Sequence, residues 1–311
     1  MSAVLQLNSY SAWLEAELAR RLEVVRWFEL NDDQRAAWLA DRASEVVAVT
    51  AGGHIGGPTP LIEALPNLKI VAINGVGYDK VDLALAERRG VRVTTTPGTL
   101  TDDVADLAVG LIISLLRQIP AADAHVRSGA WPSGEQPLAR KVTGRRFGIL
   151  GLGHIGGAIA ARLSAFGPVS YTSRHPKPVP YEYHADVGVL AVASDVLVVA
   201  CSANESTRHL VDAGVLDALG PDGWLVNVSR GSVVDEAALI QALDAGKIAG
   251  GALDVFENEP QVPEALRNSP RAVLTPHIAS ATVETRRAMA ELVLANLDAV
   301  LQGREPPTPV A

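Results

Sequence analysis

At 311 residues the chain is long for one average domain and can bury two cores, and with 48% apolar and 20% charged residues its composition is that of a globular protein. No stretch approaches the roughly 18 uninterrupted apolar residues that suggest a membrane span, and a formal charge of −8 argues against broad nucleic-acid binding. The single cysteine, Cys201, allows no internal disulfide, and the start from Met1 to Asn8 lacks the pattern of a secretory signal, so the expected compartment is the cytoplasm.

Residues 11–21 read as a helix, residues 24–28 as a strand, and Asn31-Asp32-Asp33-Gln34 as the capping box of the next helix. β-Branched runs at 46–49 and 70–73 read as buried strands. Each ends in a glycine-containing loop, Gly52-Gly53-His54-Ile55-Gly56-Gly57 and Asn74-Gly75-Val76-Gly77. Pro97-Gly98 interrupts the pattern. Thr101 then supplies an N-cap, and Asp102 and Asp103 two favourable charges, for a helix reaching about residue 117. A second α/β set begins at 146–150 and continues through strands near 169–171, 196–200, 225–228 and 251–253. The last helix, residues 283–301, carries Met289, Leu292, Val293, Asn296 and Val300 on related faces and needs a partner surface. The Pro-rich tail, residues 306–309, cannot continue that helix and is expected on the surface. Strands alternating with helices predict an α/β fold of two doubly wound parallel-sheet domains.

Gly151-Leu152-Gly153-His154-Ile155-Gly156 follows an apolar strand and opens a helical run, the context that gives a G-x-G-x-x-G pattern weight as a dinucleotide site. The first glycine permits the tight turn, the second lets backbone N–H groups approach a pyrophosphate, and the third allows close helix-to-strand packing. At the end of the next strand an NAD-selective site would place a carboxylate on the adenosine ribose. This chain instead reads Tyr171-Thr172-Ser173-Arg174-His175-Pro176-Lys177. Arg174, with Ser173 and Lys177, suits a ribose 2′-phosphate, so NADPH is the expected cofactor, with NADH possible.

Three polar residues follow the later strands, at the sheet edge where open α/β folds bind ligands: Arg230, Glu259 and His277. Arg230 can pair with a substrate carboxylate and polarise the adjacent carbonyl. His277 can give a proton to a carbonyl oxygen as hydride reaches the carbon. Glu259 can bond the second imidazole nitrogen, fix the ring and favour its protonated form.

These segments, with Gly75-Val76-Gly77-Tyr78-Asp79, Thr101-Asp102-Asp103-Val104-Ala105-Asp106, Ala252-Leu253-Asp254-Val255-Phe256-Glu257-Asn258-Glu259-Pro260 and Pro276-His277-Ile278, resemble the D-isomer-specific 2-hydroxyacid dehydrogenases from about residue 46 to residue 300. The resemblance implies a Rossmann-type dinucleotide-binding domain, residues 99–284, and a discontinuous, flavodoxin-like substrate-binding domain, residues 1–98 with 285–311. It implies a catalytic set of Arg230, Glu259 and His277, a carboxylate cradle at Val76 and Gly77 walled by His54, and Asp254 at the nicotinamide carboxamide. The rest of the cofactor site would comprise Thr101, the Gly151–Gly156 turn, Cys201, Thr207, Val228 and Ser280. No residue is expected to bind a metal.

Within the family, Ser173-Arg174, the run 279–286 and the absence of a C-terminal regulatory domain are most similar to the glyoxylate, hydroxypyruvate and hydroxyphenylpyruvate reductases. That likeness implies reduction of a small 2-oxo acid to the D-2-hydroxy acid by a homodimer, with Trp131 placed to reach the partner subunit's pocket. His154 departs from the Arg or Lys often found in the phosphate turn, and Cys201 reads as a small apolar filler beside the adenosine site. The alternatives are an NAD-dependent dehydrogenase of a phosphorylated hydroxy acid, disfavoured by Ser173-Arg174, and a non-catalytic dinucleotide sensor, disfavoured by the intact Arg, Glu and His set.

Overall fold

The computed structural model describes residues 2–310; Met1 and Ala311, the outermost residues of the expected substrate-binding domain, lie outside them. Apolar runs bounded by turns become strands, and the amphipathic segments between them become helices. The result is two parallel sheets, one in each of two units: Met1–Leu100 with Ala281–Ala311, and Thr101–Ser280.

In the first unit the strands are β1 (Ala3–Gln6), β2 (Glu23–Arg26), β3 (Val46–Gly52), β4 (Ile70–Asn74) and β5 (Arg92–Thr94), in the order β2-β1-β3-β4-β5. This is the flavodoxin-like order. Central strands β3 and β4 are buried on both faces, as parallel sheets require. One face packs Leu5, Val49 and Ile73 with Ile62, Leu65 and Leu85. The other packs Val4, Ala48, Ile70 and Ala72 beneath Leu14 and Leu18 of the helix Ala12–Ala19 and Val293, Leu294 and Leu297 of the helix Val283–Leu301. This face is the partner surface the last helix needs.

Local chemistry explains much of the detail, and the differences from expectation. Asn31 and Gln34 form the capping box, with reciprocal hydrogen bonds of 2.9 and 3.0 Å. The strand expected over 24–28 stops at Arg26. Trp27–Glu29 turns as a 3₁₀ helix so that Trp27 meets the edge of Trp38 on the helix Asp32–Arg42, with ring centroids 6.1 Å apart. The tail is not merely laid on the surface: Pro306 is buried, and Thr94 pairs with Pro309 across the free edge of β5. Thr308 donates its hydroxyl to the Thr95 carbonyl at 2.6 Å and exchanges two further bonds with buried Asn296. Pro309 fits there because an edge strand needs no N–H at every position.

The second unit has β6 (Phe147–Leu150), β7 (Val169–Thr172), β8 (Glu182–Tyr183), β9 (Val196–Val199), β10 (Trp224–Asn227), β11 (Gly250–Leu253) and β12 (Ala272–Leu274), ordered β12-β11-β10-β9-β6-β7-β8. That is the Rossmann arrangement, in which the order reverses beside the first strand of the set and opens a crevice at the strand C-termini. The helix Thr101–Leu116 begins at Thr101 itself, one residue earlier than an N-cap role would allow. It buries Val104, Ala108, Leu111 and Ile112, and Arg162 of the helix His154–Leu163 reaches Asp106 at 2.6 Å and Asp102 at 2.9 Å. No single described helix is long and apolar enough to cross a membrane.

Candidate active site

The glycine turn joins β6 to the helix His154–Leu163, and each of its glycines meets a different constraint. Gly151 has φ +99° and lies so close to Cys201 that a Cβ would strike the Cys201 backbone. A Cβ on Gly156 would collide with the Gly151 carbonyl oxygen, so the helix can pack onto the turn only without one. A Cβ on Gly153 would meet nothing within 4 Å. It would project into open space above the first turn of the helix, where Gly153 as N-cap offers no side-chain hydrogen bond to the helix N–H groups. Orphan N–H donors over an open, glycine-floored cradle suit a pyrophosphate. Leu152 is buried, Ile155 half-buried and His154 exposed at the helix start.

The loop after β7 is organised around Tyr171. Its buried phenol oxygen accepts the Lys177 N–H at 2.7 Å, and its ring lies 5.4 Å from that of Tyr183. The Ser173 hydroxyl donates to the His175 carbonyl at 2.6 Å, the Lys177 ammonium donates to the Leu152 carbonyl in the glycine turn, and Arg174 is exposed. A serine, an arginine and a lysine with no carboxylate on the loop fit a dinucleotide bearing a 2′-phosphate. Beyond β9, Cys201 is half-buried against the core, and burial pushes its thiol up to about 11. The Thr207 hydroxyl donates within its own turn to the Ser202 carbonyl at 2.9 Å. Val228 is buried just past β10, Thr101 is half-buried at its helix start, and Ser280 is half-buried at the end of the unit.

Arg230, Glu259 and His277 follow β10, β11 and β12, all at the C-terminal edge of one sheet. His277 Nδ1 lies 2.7 Å from Glu259 Oε2, and Glu259 Oε1 accepts the Phe256 N–H at 3.0 Å. The carboxylate is thus held at one oxygen while it orients the imidazole with the other. His277 has φ +54°, a conformation costly for a non-glycine residue that persists only where surroundings enforce it. Asp254 does much of the enforcing. It has no exposed surface, its Oδ1 accepts from the Thr275 hydroxyl at 2.6 Å and the Ile278 N–H at 2.8 Å, and its Oδ2 accepts from the Ala279 N–H at 2.9 Å. Its carbonyl also takes the His277 N–H at 2.8 Å.

Asn227, at the end of β10, is a supporting residue that sequence reasoning missed. Fully buried, it donates to the Arg230 carbonyl and accepts the Ser229 N–H, both at 3.0 Å. The one sequence signal was a polar residue closing an apolar strand. In the first unit, Val76 and Gly77 are half-buried in the loop after β4, and the His54 ring folds over Gly52 in the loop after β3. Among the described residues no group of three or more His, Cys, Asp or Glu side chains could hold a metal ion.

Residues 109–279 match the family model described as D-isomer specific 2-hydroxyacid dehydrogenase, NAD binding domain. The chain is 48% identical to glyoxylate/hydroxypyruvate reductase A of Arabidopsis thaliana over 309 residues, 99% of this chain and 98% of that protein. It is equally 48% identical to the hydroxyphenylpyruvate reductase of Plectranthus scutellarioides, with the same coverage of 99% and 98%. Among solved structures, the NADPH-dependent glyoxylate/hydroxypyruvate reductase of Sinorhizobium meliloti, in complex with NADP and malonate, superposes with a TM-score of 0.90 at 43% identity, covering 100% of this chain and 97% of that one. A glycine turn built for a dinucleotide, a carboxylate-held histidine at the same sheet edge and near full-length likeness converge: the chain belongs to the D-isomer specific 2-hydroxyacid dehydrogenase family.

Proposed function

We propose that the protein reduces a small 2-oxo acid, such as glyoxylate, hydroxypyruvate or an aryl pyruvate, to the D-2-hydroxy acid with NADPH as preferred cofactor. The observation that carries the reading is the 2.7 Å pair between His277 Nδ1 and Glu259. With Nδ1 given to the carboxylate, Nε2 is the nitrogen that transfers the proton to the carbonyl oxygen. Arg230 binds the substrate carboxylate and polarises the carbonyl; in the first unit, the backbone N–H groups of Val76 and Gly77, with His54, are assigned to substrate binding. When bound, the reduced nicotinamide supplies the hydride that makes the carbonyl carbon a carbinol.

The Gly151–Gly156 turn, including Leu152, His154 and Ile155, would take the pyrophosphate, and Ser173, Arg174 and Lys177 the 2′-phosphate. Thr101, Cys201, Thr207, Val228, Asp254 and Ser280 would border the remainder. On this reading the second unit is the dinucleotide-binding domain and the first the substrate-binding domain. We assign the enzyme to the cytoplasm, which the lone cysteine favours, and to a homodimer. Trp131, at 64% exposure, and Leu138, at 97%, are the apolar surface a second copy would cover.

The test is steady-state kinetics over glyoxylate, hydroxypyruvate, phenylpyruvate and hydroxyphenylpyruvate with NADPH and NADH. His277→Ala is expected to lower kcat by about 10²–10⁴ while NADPH still binds, as read by quenching of protein fluorescence. Failure to oxidise either cofactor with every acid would overturn the reading.

A further inference from the structure

Two residues before Glu259, the side chain of Glu257 meets a different histidine. Its Oε1 lies 2.8 Å from His209 Nε2 and accepts from Arg208 at 3.2 Å, while its backbone N–H donates to Glu236 Oε2 at 3.3 Å. Glu236 is buried, and that burial, only partly offset by the hydrogen bond from the Glu257 N–H, pushes its carboxyl up from the usual range. His209 stands at φ +48°, and its own N–H donates to the Ser232 carbonyl at 2.8 Å. Next to it, Val211 pairs with Val234. Gly231 lies so close to the Phe256–Glu257 peptide that a Cβ would collide with it. Three segments, 208–211, 230–236 and 254–259, are thereby fastened together, and two of them carry Arg230 and Glu259.

We propose that His209 is a positioning residue: paired with Glu257, it locks the segment that carries Glu259 and so sets where that carboxylate meets the imidazole of His277. The Phe256 N–H that anchors Glu259 belongs to a stretch of backbone held from its other side by Gly231, Glu236 and, through Glu257, His209. Loops keep a catalytic geometry only where such contacts over-determine them, and displacements of about 1 Å cost turnover steeply. Arg208, Glu236 and Glu257 are the charged groups around His209; Arg230, Asp235, Asp254 and Glu259 are the others on the segments it fastens. Without His209, Glu257 stands beside buried Glu236 with Arg208 as a cationic partner.

This inference rests on the reading of His277 and Glu259 as the proton-handling pair, so its test has one arm that needs no turnover. His209→Asn tolerates the left-handed backbone but is too short to reach Glu257, whereas His209→Gln keeps a donor within reach. In the full-length protein, H209N is expected to lower kcat about tenfold, with KM for the oxo acid and affinity for NADPH changed less than about twofold, and H209Q to recover most of the loss. A purely structural role would lower the melting temperature and leave kcat per folded molecule unchanged. The second arm is the downfield NMR signal of the His277 Nδ1 proton shared with Glu259: sharp in wild type and H209Q, broadened by exchange with water in H209N. Lack of turnover in wild type would sink the functional reading while the NMR arm still decides the positioning. Wild-type kcat together with an unchanged Nδ1 signal in H209N would overturn the proposal.

Discussion

NADPH and NADH differ by one phosphate, and the side chains proposed to read it are Ser173, Arg174 and Lys177. The Ser173 hydroxyl donates to its own turn and the Lys177 ammonium to the glycine turn, whereas Arg174 is exposed. A charge-assisted guanidinium–phosphate bond contributes about 1.5–3 kcal/mol. Arg174→Ala is therefore expected to raise KM for NADPH about tenfold or more and to move KM for NADH less than about twofold; equal effects on both would assign the selectivity elsewhere. His277 marks the limit of reading residue by residue. Its type and its place after a strand nominate it, but its left-handed backbone is enforced by Asp254, Thr275 and the N–H groups of Ile278 and Ala279. Nothing in the local sequence indicates that Asp254 would spend three acceptor positions on that loop.

Among the elements, the helix Val283–Leu301 was fully legible, because nineteen residues of sustained periodicity outweigh any local irregularity. Four-residue β1, three-residue β5 and two-residue β8 were not, since so few residues carry no period and draw their stability from neighbouring strands. The tail was legible only in part for a related reason: proline excludes helix, but only the free edge of β5 shows what the segment pairs with. Thr308 ties that tail to both β5 and the last helix. Thr308→Val is expected to leave Asn296 and the Thr95 carbonyl short of partners and to destabilise the fold by about 1–3 kcal/mol, while Thr308→Ser stays near wild type. Thermal melts of the two variants check it, and equal melting of T308V and wild type would remove the tail from the stability of the first unit.

For the whole molecule, the two sheets follow two well-separated orders, and the proposed roles of the two units imply that dinucleotide stabilises only one of them. At about one hundred times its Kd, NADP⁺ should add about 2.7 kcal/mol to the state that binds it. Hydrogen exchange is expected to slow in β6, the Gly151–Gly156 turn and the helix His154–Leu163, with β1 to β5 unaffected. Protection confined to the first unit would reverse the assignment. The sequence by itself determined the alternation of strands and helices, the glycine turn and the three residue types proposed as catalytic, because these are written in local periodicity and turn chemistry. Family resemblance already implied that the last helix joins the first unit and that Glu259 holds His277; only the tertiary structure decided that the tail pairs with β5, that Asp254 fastens the His277 loop, and that His209 meets Glu257. Those are contacts between distant segments, and the path of the folded chain, not any local pattern, brings them within hydrogen-bonding distance.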